Sequence, residues 1–491
     1  WTAELGLGWI PPASTDPDGI TWQVEVTTTT DSSWSDSPYT PDPYVPNVAN
    51  PAAGWYDGDF HVHGEEEPGN APMEQTFDKG FGAGPAGNAL DFMTLVDHNN
   101  VVARGEIGRY DQNYAGKLIM QGTEVTTYNG HWNSQNAGQL ADFRAGPIVR
   151  FDDADADNQV EAGELPQVRA SLDPSGQFAA SSASGGWAQI NHPTIFNNAP
   201  SACRGCAWAY SDTQTDFSKV DAIEVSTGPA VLPNNQVIPA VTANPYLASA
   251  IAYYEHALST GAHIAAVASS DDHQGGDRDQ PANATDSQVG RGATAVYATE
   301  LSQAGVTAAV KADHTYAKPF GADAPDVTMT ASAPGKADAI PGDSITAPSA
   351  TISVNVKNGA AAAARPGSYL LEILKDGIAV DSIAITSDDF NHQYTATETG
   401  RYSFEVSRTP GTAKLVEAYS SPVWFTKETV AGTAKIKKVS VSGPAKVKKG
   451  KKAIYKVKVT NSGTATANSV KLRVSGRGVS GKSTVGKVAA G

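Results

Sequence analysis

Asp57-Gly-Asp-Phe-His-Val-His63 is a short apolar run that ends in two imidazoles. Phe60 and Val62 alternate with His61 and His63, and side chains two apart on a strand project to the same side. The two histidines are therefore placed to hold one ion from one strand end. Alone the pair says little, because His-x-His is also an ordinary polar strand terminus. Its weight comes from four further apolar runs with the same kind of ending. Asp91-Phe-Met-Thr-Leu-Val-Asp-His98 ends in Asp97 and His98, and Leu118-Ile-Met-Gln-Gly-Thr-Glu124 in Glu124, with His131 shortly after. Trp187-Ala-Gln-Ile-Asn-His192 ends in His192, and Ile264 to His273 in Asp271, Asp272 and His273. Imidazole nitrogens and carboxylate oxygens suit Zn, Mn and Fe, and a shared carboxylate can hold two ions close together.

The order His-x-His, Asp-His, Gly-x-Glu, His, His-Pro, Ser-Asp-x-His resembles that of the polymerase and histidinol phosphatase (PHP) family of metallohydrolases. Gly122-Thr-Glu-Val-Thr126 with Gly130-His131, and Ser270-Asp-Asp-His273, look most like its CehA/McbA branch. The resemblance spans roughly residues 54 to 320. It implies an α/β fold, a distorted (β/α)7 barrel, with two or three metal ions at the C-terminal ends of its strands. It further implies that His61, His63, Glu124 and Asp271 bind a first ion, and that Glu124 bridges to a second ion held by His131 and His192. His98 and His273 would bind a third ion or shape that position, and Asp97 would orient its neighbour's imidazole. Asp272 is the alternative to Asp271, which the Ser-Asp-x-His pattern favours. Family members carry another histidine soon after the first pair. Here the segment is Gly64-Glu-Glu-Glu-Pro68, with Glu65 as the candidate substitute. Arg291, in Gly290-Arg-Gly292, is a candidate contact for an anionic substrate; a surface ion pair is the competing reading.

Composition bounds the rest. The chain has 491 residues, 40% of them hydrophobic and 18% charged, which fits folded material of several domains. No apolar run is long enough to cross a bilayer. The chain opens on Trp1, and its few Met and Cys beside abundant Gly, Pro, Thr and Asn lead us to expect a secreted or cell-surface protein whose export signal has been removed. In that setting Cys203-Arg-Gly-Cys206 reads as a local disulfide, with a redox-active pair as the alternative. The net charge is −16, but Glu428 is the last acidic residue and fifteen Lys and Arg follow it. The preceding chain thus carries about −31, which argues against nucleic acid as its main partner, and the basic segment is a candidate for cell-surface contact.

In chain order, residues 1–53 read as a β or extended segment that packs on later β structure. Residues 54–320 read as the metallohydrolase barrel, with strands at 58–62, 91–96, 117–121, 187–191, 221–225, 262–268 and 293–298. Between them, Leu247, Ile251, Tyr254 and Leu258 lie on helical spacing ahead of Gly261. An insertion at 132–186 contains Asp153, Asp155, Asp157, Gln159 and Glu164 at EF-hand positions 1, 3, 5, 7 and 12, a candidate calcium loop. A clustered-acid surface loop is the alternative. Residues 321–430 read as a β-sandwich, and 433–491 as a basic partial sandwich that resembles a CARDB-like repeat. The function expected is a secreted metal-dependent hydrolase of small-molecule esters, with phosphoesters first and carboxylic or carbamate esters second. The competing class is a non-catalytic surface adhesion protein.

Overall fold

A computed structural model of the chain describes residues 23, 42, 44–64, 72–82, 89–111, 113–127, 129–141, 148–151, 166–169, 174–197, 205–227, 244–273, 275, 289–358, 367–412, 414–428, 432–476 and 479–490. The EF-hand-like loop with Asp153, Asp155, Asp157, Gln159 and Glu164, and also Glu65 and Cys203, lie outside these residues. Two compact units divide the chain, Trp1–Thr426 and Lys427–Gly491. Among the described residues no helix is long and apolar enough to cross a membrane.

All seven expected runs fall on strands, yet the expected (β/α)7 barrel does not form. The described residues hold twenty-six strands against five α-helices. Only two trios of strands are parallel. One is Gly54–Val62, Phe92–Leu95 and Leu118–Thr127; the other is Trp187–Ile190, Ala222–Thr227 and Ala265–Ser269. Between them runs Gly130–Gln135, antiparallel to a neighbour from each trio. The physical reason lies in the connections. A parallel step needs a long crossover, whereas Thr127 turns directly into Gly130 and the chain doubles back with no helix. Beyond the first trio the sheet continues antiparallel through Ala293–Ala298 and Thr315–Lys318.

From Thr315–Lys318 the same sheet runs on into the later segment, through Leu415–Ser420, Gly400–Thr409, Ser368–Lys375 and Ile378–Ile385. A three-stranded sheet of Asp326–Ser332, Ala350–Lys357 and Asp389–Ala396 supplies the facing layer. Val327, Met329, Ile352, Val354 and Val356 meet Leu371, Ile373, Phe404 and Val406 in one core. Asp326–Ser332 and Ala350–Lys357 alternate buried with more exposed residues, the pattern of a sandwich layer with one face to the core. Near the start of the chain, Val48–Asn50 pairs with Leu301–Ser302. In the insertion, Ile148–Phe151 and Pro166–Arg169 pair antiparallel.

The site-bearing sheet curls back on itself. The His63 amide donates to the Asp272 carbonyl at 3.0 Å, and the Asp271 amide donates to the His61 carbonyl at 2.9 Å. Phe60, Phe92, Leu118, Met120, Trp187, Ala222 and Ala265, one or two from each strand of the two parallel trios, pack together inside the curl. Outside it, Val62, Met93 and Ile119 meet Met73, Phe77 and Phe81 of the helix Met73–Phe81. Phe60 and Val62 thus enter different cores although they are two apart. The pairing with Phe92–Leu95 shifts register between Asp59 and Val62, and such an irregularity re-aims the side chains beyond it. The helix Leu247–Ser259 buries Leu247, Tyr254 and Leu258 and is followed by Gly261 at φ +90°.

In the second unit, Ile436–Ser442 pairs with Lys456–Asn461 and Ala467–Gly476 with Val479–Val488. Asn461, nearly fully buried, ties the hairpins together: its amide donates to the carbonyls of Ala465 and Val488 at 2.7 and 3.2 Å.

Candidate metal centre

Strand ends deliver the site. Gly54–Val62 carries His61 and is followed by His63; Phe92–Leu95 leads to Asp97 and His98. Glu124 lies within Leu118–Thr127 and His131 within Gly130–Gln135. Trp187–Ile190 leads to His192, and Ala265–Ser269 to Asp271 and His273. These side chains converge on Glu124, which is fully buried. Its Oε2 lies 3.3 Å from His61 Nε2, 3.5 Å from His63 Nε2 and 2.9 Å from His98 Nδ1. Its Oε1 lies 3.2 Å from His131 Nδ1 and 3.3 Å from His192 Nε2. Asp271 Oδ1 sits 3.2 Å from His61 Nε2 and 3.1 Å from His63 Nε2, and Oδ2 lies 3.9 Å from His192 Nε2. His273 stacks on His63 with centroids 3.7 Å apart, and its Nε2 lies 3.2 Å from His98 Nε2.

Several donor sets lie within 4.8 Å of one another: His61, His63, Glu124 and Asp271; His98, Glu124 and His131; and His63, His98 and His273. His61 Nε2, His63 Nδ1, Glu124 Oε2 and His131 Nε2 are buried without a hydrogen-bond partner. Buried polar atoms are costly to leave in that state, so the set fits divalent ions that would draw on these lone pairs.

Electrostatics points the same way. Burial opposes charge on His61, but Asp271, Glu124 and Glu224 outweigh it and hold the imidazole pKa well above its usual value. His63 goes the other way, pushed well below by burial and by the charge of His273. Burial would raise Glu124 and Asp271, yet the surrounding histidines hold both well below the usual carboxylate range. Two ligand candidates sit in the left-handed backbone region, His192 at φ +28° and Asp271 at φ +58°. Non-glycine residues adopt it at a cost that is met most often at functional sites.

A second layer, which the sequence reading missed, orients the first. Glu224 is fully buried; its Oε1 lies 2.9 Å from His61 Nδ1, and its Oε2 accepts the His192 amide at 2.7 Å. The Cys206 carbonyl lies 2.9 Å from His192 Nδ1. Both contacts turn the rings so that Nε2 faces Glu124. Asn191 donates to Glu124 Oε1 at 3.0 Å and to Asn133 Oδ1 at 2.8 Å. The one available signal for Glu224 was a carboxylate inside the apolar run Ala222-Ile-Glu-Val225. Asp59 was likewise in view, within the opening stretch. It accepts the amides of His61, Ser270 and Gly290 at 3.1, 3.1 and 2.8 Å, and burial pushes its carboxyl up to about 7.

The remaining expected residues are placed as follows. Asp97 is buried and accepts the Gly64 amide at 2.6 Å, while the His98 ring contacts Thr126 Oγ1 at 2.5 Å through Nδ1. Asp272 points away from the cluster, and its carboxylate accepts the Val289 amide at 3.4 Å. Arg291 is half-buried next to Gly290, in the loop that Asp59 anchors. Cys206 is disulfide-bonded. The four other histidines, His256, His263, His314 and His392, pair with Asp212, Asp313, Asp343 and Asp381. Compared with known proteins, the chain matches no family model and no curated protein.

Proposed function

We propose that this protein is a metal-dependent hydrolase of small-molecule esters, with phosphoesters as its substrates. The observation that carries the reading is Glu124: one buried carboxylate whose two oxygens face two separate groups of imidazoles, as a carboxylate shared between two ions must. The order of the donors in sequence, which resembles that of the PHP metallohydrolases, supports the same reading. His61, His63, Glu124 and Asp271 would hold one ion, and Glu124, His131 and His192 another, with Zn, Mn or Fe suited to the donors. Divalent ions held by these residues would supply Lewis acidity toward water and offset negative charge on the ester oxygens.

The chain's own residues do the rest. Glu224 and the Cys206 carbonyl fix ring orientation, and the packed polar layer of Asn191, Asn133 and Gln189 keeps bulk water from the far side. His98, His273 and Asp271 are the partly exposed members, so substrate meets the cluster on their side. The disulfide at Cys206 favours an oxidising compartment, in keeping with a secreted or surface-held enzyme.

The test is metal analysis joined to assay. Purified protein loaded with Zn, Mn or Fe should hold two or more ions and cleave a chromogenic phosphodiester, and Glu124→Gln should lose both. A preparation that takes up none of these ions would overturn the proposal. Turnover of aryl carboxylic or carbamate esters alone would move the substrate class to the second expectation.

A further inference from the structure

We infer that the hairpin loop between Ile436–Ser442 and Lys456–Asn461 docks the protein onto an anionic lipid surface. Two independent observations meet there. The first is charge. The loop places Lys446, Lys448, Lys449, Lys451 and Lys452 within seven positions, and no acidic residue follows Glu428 anywhere in the chain. A field of one sign, with no ion pair to these lysines among the described residues, attracts a negatively charged face.

The second observation is apolar exposure inside the same loop. Ile454 is 85% exposed, Tyr455 49% and Val447 41%. An isoleucine this bare is unusual on a folded surface, and here a single residue, Ala453, separates it from Lys451 and Lys452. Side chains of this kind enter the boundary between headgroups and acyl chains, and tyrosine is enriched at that depth. Lysines on both sides, Lys452 and Lys456, reach the phosphate level on long stems.

The combination selects among polyanions. A soluble polyanion needs the lysines and gains nothing from Ile454. A nucleic-acid surface would use arginines and stacked aromatics, yet the segment after Glu428 holds two Arg and one aromatic residue, Tyr455. A lipid surface uses charge and bare aliphatic groups together. The arrangement is peripheral, since the described residues include no membrane-crossing helix.

The full-length protein, sedimented with vesicles, tests this. Binding to vesicles of equal phosphatidylglycerol and phosphatidylcholine should be at least about tenfold tighter than to phosphatidylcholine alone, and should weaken as salt is added. Ile454→Ser should weaken vesicle binding about tenfold but leave retention on immobilised polyphosphate unchanged. Replacing Lys448, Lys449, Lys451 and Lys452 with Ser should reduce both. Tyr455→Trp should show blue-shifted emission on anionic vesicles. Ile454 and these lysines are exposed, so circular dichroism and melting of their variants should not change. Vesicle binding indifferent to Ile454→Ser would overturn the inference in favour of a soluble-polyanion site. Self-association that is lost in Ile454→Ser, without vesicle binding, would overturn it in favour of a contact between copies.

Discussion

At the scale of single residues, Glu124 and Glu224 do different work with the same carboxylate. Glu124 faces histidines with both oxygens, whereas Glu224 reaches the back of the His61 ring and accepts the backbone amide of His192. Glu224→Gln should therefore keep the fold and lower metal affinity or turnover by about 10–100-fold. A metal titration with a melting curve checks it; a variant that binds metal normally would assign Glu224 a packing role. Protons compete for the same nitrogens. His61 is held well above its usual pKa by Asp271, Glu124 and Glu224 against burial, and His192 is raised as well, by Glu124 and Asp271 against burial. Metal uptake must displace those protons, so it should release protons and tighten as pH rises from about 6 to about 8. Titration in weakly buffered solution with an indicator reads both effects. Equal affinity at the two ends would mean the rings are already neutral.

Among the elements, one loop and one strand carry the heaviest constraints. Gly292 has φ +89°, and a Cβ there would lie 2.1 Å from the Ser269 carbonyl oxygen, at the start of the segment that presents Asp271. Gly292→Ala has no flexible neighbour to displace, so it should cost at least about 1–3 kcal/mol and reduce metal stoichiometry as well. Lys318, in Thr315–Lys318, is fully buried and bonds through Nζ to Asp57 and Asp326, each at 3.0 Å. Burial opposes its charge, but Tyr316, Asp57 and Asp326 outweigh that and raise its pKa. Burial also pushes Asp57 up despite the lysine; the two equal contacts of Nζ support the ionised form. A raised lysine pKa contributes stability that is full below the ordinary lysine range and fades only as pH climbs through the folded value. Lys318→Met leaves half-buried Asp57 without its cation and should cost about 1–3 kcal/mol by urea denaturation. A loss below about 1 kcal/mol would show that Asp57 is protonated in the native state.

For the molecule as a whole, the site-bearing strands and the sandwich share one hydrogen-bonded sheet, through Tyr316 opposite Ser420 and Ala317 opposite Tyr419. The sandwich is thus part of the body that holds the centre, and Trp1–Thr426 should melt as one cooperative transition. Lys427–Gly491 forms the other unit and should melt separately. Calorimetry with and without Zn should raise only the larger transition, by the linkage of binding to folding. Two metal-sensitive transitions, or a sandwich that melts apart from the centre, would contradict this division.

Residue types and their order determined the candidate ligands. His61, His63, His98, Glu124, His131, His192, Asp271 and His273 each follow or end an apolar run, and coordination chemistry depends on which atoms are supplied. The same runs located the strands, because a buried strand must be apolar whatever sheet it joins. Apolar runs do not encode pairing direction. The hairpin at Thr127–Gly130 and the antiparallel strands after Ala293 therefore replaced the expected barrel only once the connections were folded. Glu224, Asp59 and the Cys206 carbonyl belong to the same category. Their roles depend on which atom faces which across more than ten residues of sequence, and three-dimensional packing alone brings those atoms together.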